Sequence, residues 1–591
     1  MGDNKNFILF AVLSLAFFMG YEYFVLGPKM QKAQEAQQAQ IAQEAKTGET
    51  AKAAGDKIAP PESGVPSSAP AQKAPVLENV GQVTVDTPEL KGSINLRGAT
   101  FDDIILNNFT TSLDKDSKKV RLLSSENKPD GYYARFGWVA PAGTPAGALP
   151  TDMSVWTADH DTLTPDQPVT LAWDNGQGTR FLMKVSVDDK FMFTVDQSVI
   201  NTSGAAMKVA PYGIITRKGE PKTSGLYILH EGPMSVFDGI YEEKTYKNLT
   251  KDGDFETKGT DGTGGWIGIT DKYWMATLVP DPKAKVARAR MERNTNSAGQ
   301  ISYDVNFVQN WTDVPAGQTV ETTNHLYAGA KIVKVIDAYK AKYGITDFDK
   351  AVDWGYFWFF TKPIFHGLHW LFQITGNYGV AIILMTMILK LLLFPLASKS
   401  YRSMSHMKRA QPKIKAIQER YKDDKARQQQ EMMALYKAEK INPAAGCLPM
   451  IPQTFVFFAL YKTLYVTIEM RHQPFFGWIH DLSAADHLTI VNLFGLIPWT
   501  PPTAIAIGVL PMLMGFTMWL QQKMNPQSAQ MDPTQAKVMQ FLPLVFTFIM
   551  ARFSAGLVLY WTCNNTLSIL QQWVIMRRED ARLAGLSKTS S

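Results

Sequence analysis

Apolar positions follow two different rhythms along this chain. Over 378–396 (YGVAIILMTMILKLLLFPL), 446–465, 503–522, 538–552 and 555–573 they form nearly unbroken runs of membrane-spanning grade, which predict five crossing helices. A sixth run, 7–26, has no small-residue cleavage site before Gly27-Pro28-Lys29 and reads as an uncleaved signal anchor. Between about 82 and 331 the rhythm shortens. Runs rich in β-branched and aromatic residues are separated there by Gly, Asp, Asn and Pro, and RFLMKVSVDDKFMFTVDQSVI places two of them around an Asp188-Asp189-Lys190 turn. This predicts a large β-sandwich.

Two further segments have their own periodicity. The aromatic-rich stretch 353–374, broken by Pro363, predicts a helix lying in the outer membrane interface. In 398–445, Met407, Ile414 and Tyr421 recur every seven residues with Ile417 between them. Met432, Met433, Leu435 and Tyr436 form a second run. Asp423-Asp424 separates the two and Asn442-Pro443 ends the second, which predicts an antiparallel helical hairpin. The chain therefore reads as multi-domain: anchor 1–27; an Ala/Gln then Pro/Ser linker 28–80; β-sandwich 81–345; interfacial helix 350–376; polytopic α-helical membrane core 377–575 including the hairpin 398–445; and a basic tail 576–591.

Charge orients these pieces. Segment 398–445 carries twelve Lys and Arg, whereas 468–502 carries only Arg471, so the hairpin, the N-terminus and the C-terminus are expected in the cytoplasm and the sandwich in the periplasm or outside the cell. The net charge of +6 is mild and lies near the apolar runs, which suits anionic lipids and gives no sign of nucleic-acid specificity. Both cysteines, Cys447 and Cys563, fall in predicted spans, so the sandwich has no disulfide framework. His366-x-x-His369 lacks a third ligand, and no metal or cofactor is expected.

The most informative residue is Lys390, a cation inside an apolar run whose neighbouring spans contain no Asp or Glu. At the centre of a helix such a charge costs about 2.5–3.5 kcal/mol on insertion scales, so it faces water or a partner. Thr386, four residues earlier, shares its face. The competing reading is that Lys390 snorkels to the cytoplasmic end, about 9 Å away. On the last span Trp561, Asn565, Ser568 and Gln572 follow an i, i+4, i+7, i+11 spacing. They are either helix–helix glue or, with Thr386, Lys390 and Gln521, the lining of a hydrated groove. The run 538–552 spans only about 22 Å as a helix against a hydrocarbon core of ~30 Å, which implies a locally thinned bilayer.

QPKI from Gln411, EMMALYKAEKINPAAGCLP from Glu431, FFALYKTLY from Phe457, SAGLVLYWTCNN from Ser554 and GGWIGITDKYWMATLVP from Gly264 resemble the YidC/Oxa family of membrane protein insertases in its Gram-negative form. That resemblance implies a periplasmic sandwich and a five-helix core around a hydrophilic groove open to the cytoplasm and to lipid, with Lys390 as its single basic residue and Thr386 and Trp561 at other groove positions. Many members have Arg where this chain has Lys390, and Pro where it has Phe455, Pro452 lying one turn earlier. The resemblance implies nascent membrane proteins as clients and the Sec translocon (SecYEG, SecDF), the ribosome and the signal recognition particle pathway as partners. The basic hairpin face, with Lys408, Arg409, Lys413, Lys415, Arg420 and Lys422, is either headgroup-facing or their docking surface. Two other classes compete: a secondary transporter, and an anchored carbohydrate-binding or epimerase-like protein built on His160, His230, Glu231 and His325.

Overall fold

The computed structural model describes residues 80–589 apart from 225–228, 261, 440–449, 490, 495, 498, 500–505 and 525–532. The expected anchor, nearly all of the linker, Cys447 and Asn442-Pro443 lie outside the described residues.

From 82 to 330 the short apolar runs form two large sheets facing each other. One runs, edge to edge, through Phe255–Glu256, Val286–Thr295, Ile301–Gln309, Met207–Lys218, Tyr132–Val139, Thr100–Thr110, Leu90–Asn95, Gln82–Asp86 and Thr162–Leu163. The other runs through Ile240–Glu243, Gly232–Phe237, Trp266–Thr270, Trp274–Val279, Thr319–Ala330, Met192–Asn201, Thr179–Val187, Val169–Asp174 and Thr157–Ala158. Alternation decides which face is inward: in Thr179–Val187, Phe181, Met183, Val185 and Val187 are buried while the residues between them are not. The expected hairpin is present, with Val187 opposite Phe193. Its turn is held by Asp188, whose Oδ1 accepts the backbone N–H of Lys190 at 2.9 Å and of Met192 at 3.0 Å. Phe101 from one sheet meets Phe193 from the other edge-on at 5.4 Å. A glycine is required where Phe191 crosses Gly329, since a Cβ there would lie 2.2 Å from the Phe191 ring.

Ten helices are described: α1 Tyr246–Asp252, α2 Val333–Tyr343, α3 Trp358–Thr375, α4 Tyr378–Leu392, α5 Phe394–Arg420, α6 Lys425–Ala438, α7 Met450–Val466, α8 Val509–Met524, α9 Pro533–Met550 and α10 Ala555–Thr589. Gly376, at φ 67°, ends α3, and the Asn377 side chain accepts from Val380 N–H to start α4, so the two join in a tight turn. The Asp486 carboxylate caps α8 by accepting from Leu510 N–H at 2.7 Å. At Gly515, α8 comes so close to α9 that a Cβ would clash with the Thr547 hydroxyl. α5 and α6 form the expected hairpin around Met407, Ala410 and Ile414, with Asp424 capping α6.

Three boundaries depart from the sequence expectation. The run 378–396 is not one helix: α4 stops at Leu392 and α5 starts at Phe394, bent by 67°. Pro395 supplies no N–H to the Leu391 carbonyl four residues back and its ring crowds that carbonyl, whereas at the start of a new helix neither matters. Pro363, by contrast, is accommodated within α3. α9 begins at Pro533, earlier than expected, although its apolar part is only Val538–Met550. The tail beyond 575 continues α10 to Thr589 and is clasped to α5, with Ser405 donating to Asp580 at 2.5 Å and Arg409 to the Asp580 carbonyl at 2.8 Å. Among the described residues no single helix is long and apolar enough to cross a membrane, and the α4–α5 pair qualifies only as a bent unit.

The sandwich and the helical region share a seam. Val466 and Ile468 pack into the sandwich core. Glu469 accepts from Val333 N–H at 3.0 Å, capping α2, and burial pushes its carboxyl up to about 7. Arg471 donates to the Thr110 carbonyl at 2.5 Å and lies over the Trp274 ring, while the Lys272 ammonium sits 3.7 Å from the Tyr465 ring centre.

His325, buried in the sandwich, bonds through Nδ1 to the Thr194 hydroxyl at 3.1 Å, and burial pushes its imidazole from 6.5 down to about 4. Between those values the unfolded chain holds the extra proton, so stability falls as pH drops from 7 towards 4 and the loss is complete below 4, up to about 3 kcal/mol. Urea titration of the full chain, followed by tryptophan fluorescence at pH 7.5, 5.5 and 4.5, is expected to show a weaker pH dependence in His325→Gln. An unchanged slope assigns the dependence to other groups.

Candidate functional site

Lys390 ends the apolar run of α4 and its Nζ reaches across to two other helices. It donates to Ser568 Oγ of α10 at 2.6 Å and to Gln453 Oε1 of α7 at 3.4 Å. Gln453 in turn donates to the Tyr560 hydroxyl at 2.7 Å, and Ser568 passes its own proton to the Asn564 carbonyl at 2.8 Å. One cation thus ties α4, α7 and α10 together through neutral oxygens. Among the described residues no carboxylate pairs with it. The ammonium is half-buried, while on the same helix Leu391 and Leu392 are 68% and 71% exposed.

The other expected residues divide. Thr386 is buried and returns its hydroxyl to the Ile382 carbonyl of its own helix at 2.7 Å. Asn565 reaches Thr517 of α8 at 3.4 Å, and Gln572 donates to the Met524 carbonyl at 2.9 Å, so these two fasten α10 to α8. Ser568 alone of the polar stripe meets Lys390. Trp561 is wedged between Phe457 of α7 and Phe546 of α9, with ring centres 4.6 and 5.8 Å away. Gln521 is half-buried on α8; its neighbour Gln522 is the one that reaches α9, at the Met539 carbonyl. Gln453 and Tyr560 were missed in the sequence. Their signal was a neutral amide and a phenol inside apolar runs, weaker than a charge.

On the hairpin, Arg409 is drawn to Asp580 and Lys413 to Glu439 at 2.5 Å. Lys408, Lys415, Arg420 and Lys422 are exposed. The pieces of the competing enzyme reading lie in separate surroundings. His160 sits by Asp159 on the surface, His230 bonds to the Pro233 carbonyl at 3.0 Å, Glu231 accepts from Ser224, and His325 is the buried imidazole described above. His369 spends Nδ1 on the Tyr378 hydroxyl at 3.0 Å rather than meeting His366 at a common centre.

The class that fold and site define is a large β-sandwich joined to a helical region whose central polar group is a lysine held by neutral oxygens. Residues 82–367 match the family described as YidC periplasmic domain, and 370–582 the family described as 60Kd inner membrane protein. The chain is 47% identical to the membrane protein insertase YidC of Methylorubrum extorquens over 99% of this chain and 97% of that one. It is 49% identical to that of Granulibacter bethesdensis over 87% and 89%. The chain belongs to the YidC family of membrane protein insertases. A crystal structure of an active YidC insertase with its first transmembrane domain resolved covers 84% of this chain and 92% of its own, at 16% identity and a TM-score of 0.33. A putative aldose 1-epimerase from Escherichia coli K12 covers 42% of this chain and 99% of its own, at 10% identity and 0.28. Scores that low carry no argument here.

Thiol accessibility tests whether the Lys390 side of α4 is wet. In a background lacking Cys447 and Cys563, Lys390→Cys is expected to react with a charged maleimide from the cytoplasmic side. Leu392→Cys, the more exposed position by geometry, is expected to stay unreactive if lipid covers that face of α4. The reverse order marks Lys390 as a dry helix contact.

Proposed function

We propose that this chain inserts hydrophobic segments of nascent proteins into the bacterial inner membrane, with Lys390 as the attracting charge of a groove between α4, α7 and α10. The observation that carries this reading is that, among the described residues, Lys390 is held by neutral oxygens, Ser568 Oγ and Gln453 Oε1, so its positive charge is positioned without being cancelled. In a low-dielectric setting that charge attracts the acidic groups of a short polar flank far more strongly than it would in water. The attached apolar segment then moves sideways into lipid, driven by about 25 cal/mol per Å² of apolar surface removed from water. No covalent bond is made or broken.

The rest of the chain is read around that step. α4 and α7–α10 are taken as the five-helix membrane core, with α5 and α6 as the cytoplasmic hairpin that first meets the client and α3 as the interfacial helix. The short apolar part of α9 supports a locally thin bilayer, which shortens the flank's crossing. Both termini are placed in the cytoplasm and the sandwich in the periplasm. Of the basic hairpin residues, Lys408, Lys415, Arg420 and Lys422 are those left facing outward, towards anionic lipid headgroups or towards the ribosome and signal recognition particle pathway. Work alongside the Sec translocon belongs to this same proposal.

The test is insertion of a single-span client with an acidic N-terminal flank into liposomes holding the purified chain. Lys390→Arg is expected to retain activity, and Lys390→Glu and Lys390→Leu to lose at least tenfold, with each variant shown to be folded. Normal insertion by all three would remove Lys390 from the mechanism.

A further inference from the structure

At the seam between sandwich and helical region lies an 80 Å³ cavity formed by α2, the 3₁₀ turn Phe348–Ala351 and α3. Val333, Ile336, Val352 and Trp354 make its apolar floor, and Asp337, Asp349, Lys362 and His366 make its rim. The space is several times what a single water needs. Asp349 is already shared by Lys340, at 2.7 Å, and by Lys362. Asp337 makes no ion pair among the described residues, and partial burial, with Asp349 nearby, holds its carboxyl above the usual range. Lys334, exposed one turn before Asp337, shares its helix face.

Asp349 is taken up by Lys340 and Lys362, which leaves Asp337 and Lys334, one charge of each sign, outside any ion pair among the described residues. A zwitterion gains at both ends. Beside the cavity, Trp358, Phe359 and Trp370 of α3 expose 57%, 52% and 58% of their surface, and Tyr356 just before them 97%. Amphipathic aromatic rings of this kind belong at the depth of lipid headgroups.

We infer that this cavity binds the headgroup of a phospholipid with a primary ammonium, phosphatidylethanolamine: the ammonium donates to Asp337, and the phosphate lies at the mouth against Lys334 and His366. A primary ammonium brings three N–H donors to a carboxylate that lacks one; a trimethylammonium brings none and is bulkier. The inference rests on α3 being an interfacial helix, and it assigns that helix a lipid of its own.

Native mass spectrometry of the full chain, titrated separately with dioleoyl phosphatidylethanolamine, phosphatidylcholine and phosphatidylglycerol, tests it. Phosphatidylethanolamine is expected to be retained at least fivefold more than either of the others. Asp337→Asn, a change at an exposed position, is expected to erase the preference, and Lys334→Gln to weaken it. Equal retention of the three lipids, a preference for phosphatidylglycerol, or a preference that survives Asp337→Asn would overturn the inference. Quenching by chain-brominated lipid, compared between the native chain and Trp358→Phe, separates the two layers of the argument. If the substitution removes a quenched component but the lipid preference is absent, the interfacial helix stands and the headgroup site falls. If no quenched component is lost, the interfacial reading falls as well.

Discussion

A cation in an apolar helix must be solvated by something, and the helical region is arranged around how Lys390 meets that demand. Its helix, α4, is otherwise apolar and leaves Leu391 and Leu392 exposed beside it. The ammonium turns away from them to Ser568 and Gln453 on two other helices. Neutral oxygens recover part of the lost hydration, whereas a carboxylate would have recovered more and cancelled the field. The position of α4 against α7 and α10 is therefore tied to the same contacts that keep the charge available. Thr386, Asn565 and Gln572 are occupied with helix geometry, and they set the frame within which Lys390 is held.

The seam with the sandwich sets a second constraint. Glu469 follows α7 directly and caps α2 through Val333, while Val466 and Ile468 belong to the sandwich core. A displacement of α7 would strip the cap from α2 and expose apolar surface, so one end of α7 is held by the sandwich while its other end carries Gln453 of the lysine network. A two-sided hold of this kind resists tilting of α7 and gives the large domain a mechanical role that needs no ligand of its own.

How much of this was legible in the sequence depended on how strong a signal each feature leaves. Alternation over Thr179–Val187 and the Asp188 turn gave the sandwich, because a period of two puts every second side chain on one face of a strand and would scatter the same residues around a helix. The heptad of Met407 and Ile414 gave the hairpin. Lys390 stood out because charge in an apolar run is rare. Gln453 and Tyr560 did not, since a neutral polar group in a span costs little and predicts no particular partner. The break at Leu393 was hidden by composition: the run stays apolar through Pro395, and hydropathy carries no information about a missing N–H. The extension of α10 was hidden because Glu579, Asp580 and Arg582 look like a solvated tail until Ser405, His406 and Arg409 are seen to face them.

The choice of lysine at 390 follows from the geometry of its partners. Ser568 and Gln453 present single oxygens on different helices, and a tetrahedral ammonium on a flexible stem can address both at once. Those contacts use two of its three donors. On the proposed reading the third is the one offered to a client carboxylate, which needs only a point charge and one N–H. An arginine would keep the charge and its attraction but spread it over a planar fork suited to two parallel bonds with one carboxylate. On that reading lysine separates attraction from tight recognition, which suits a site whose ligand must leave it for the lipid.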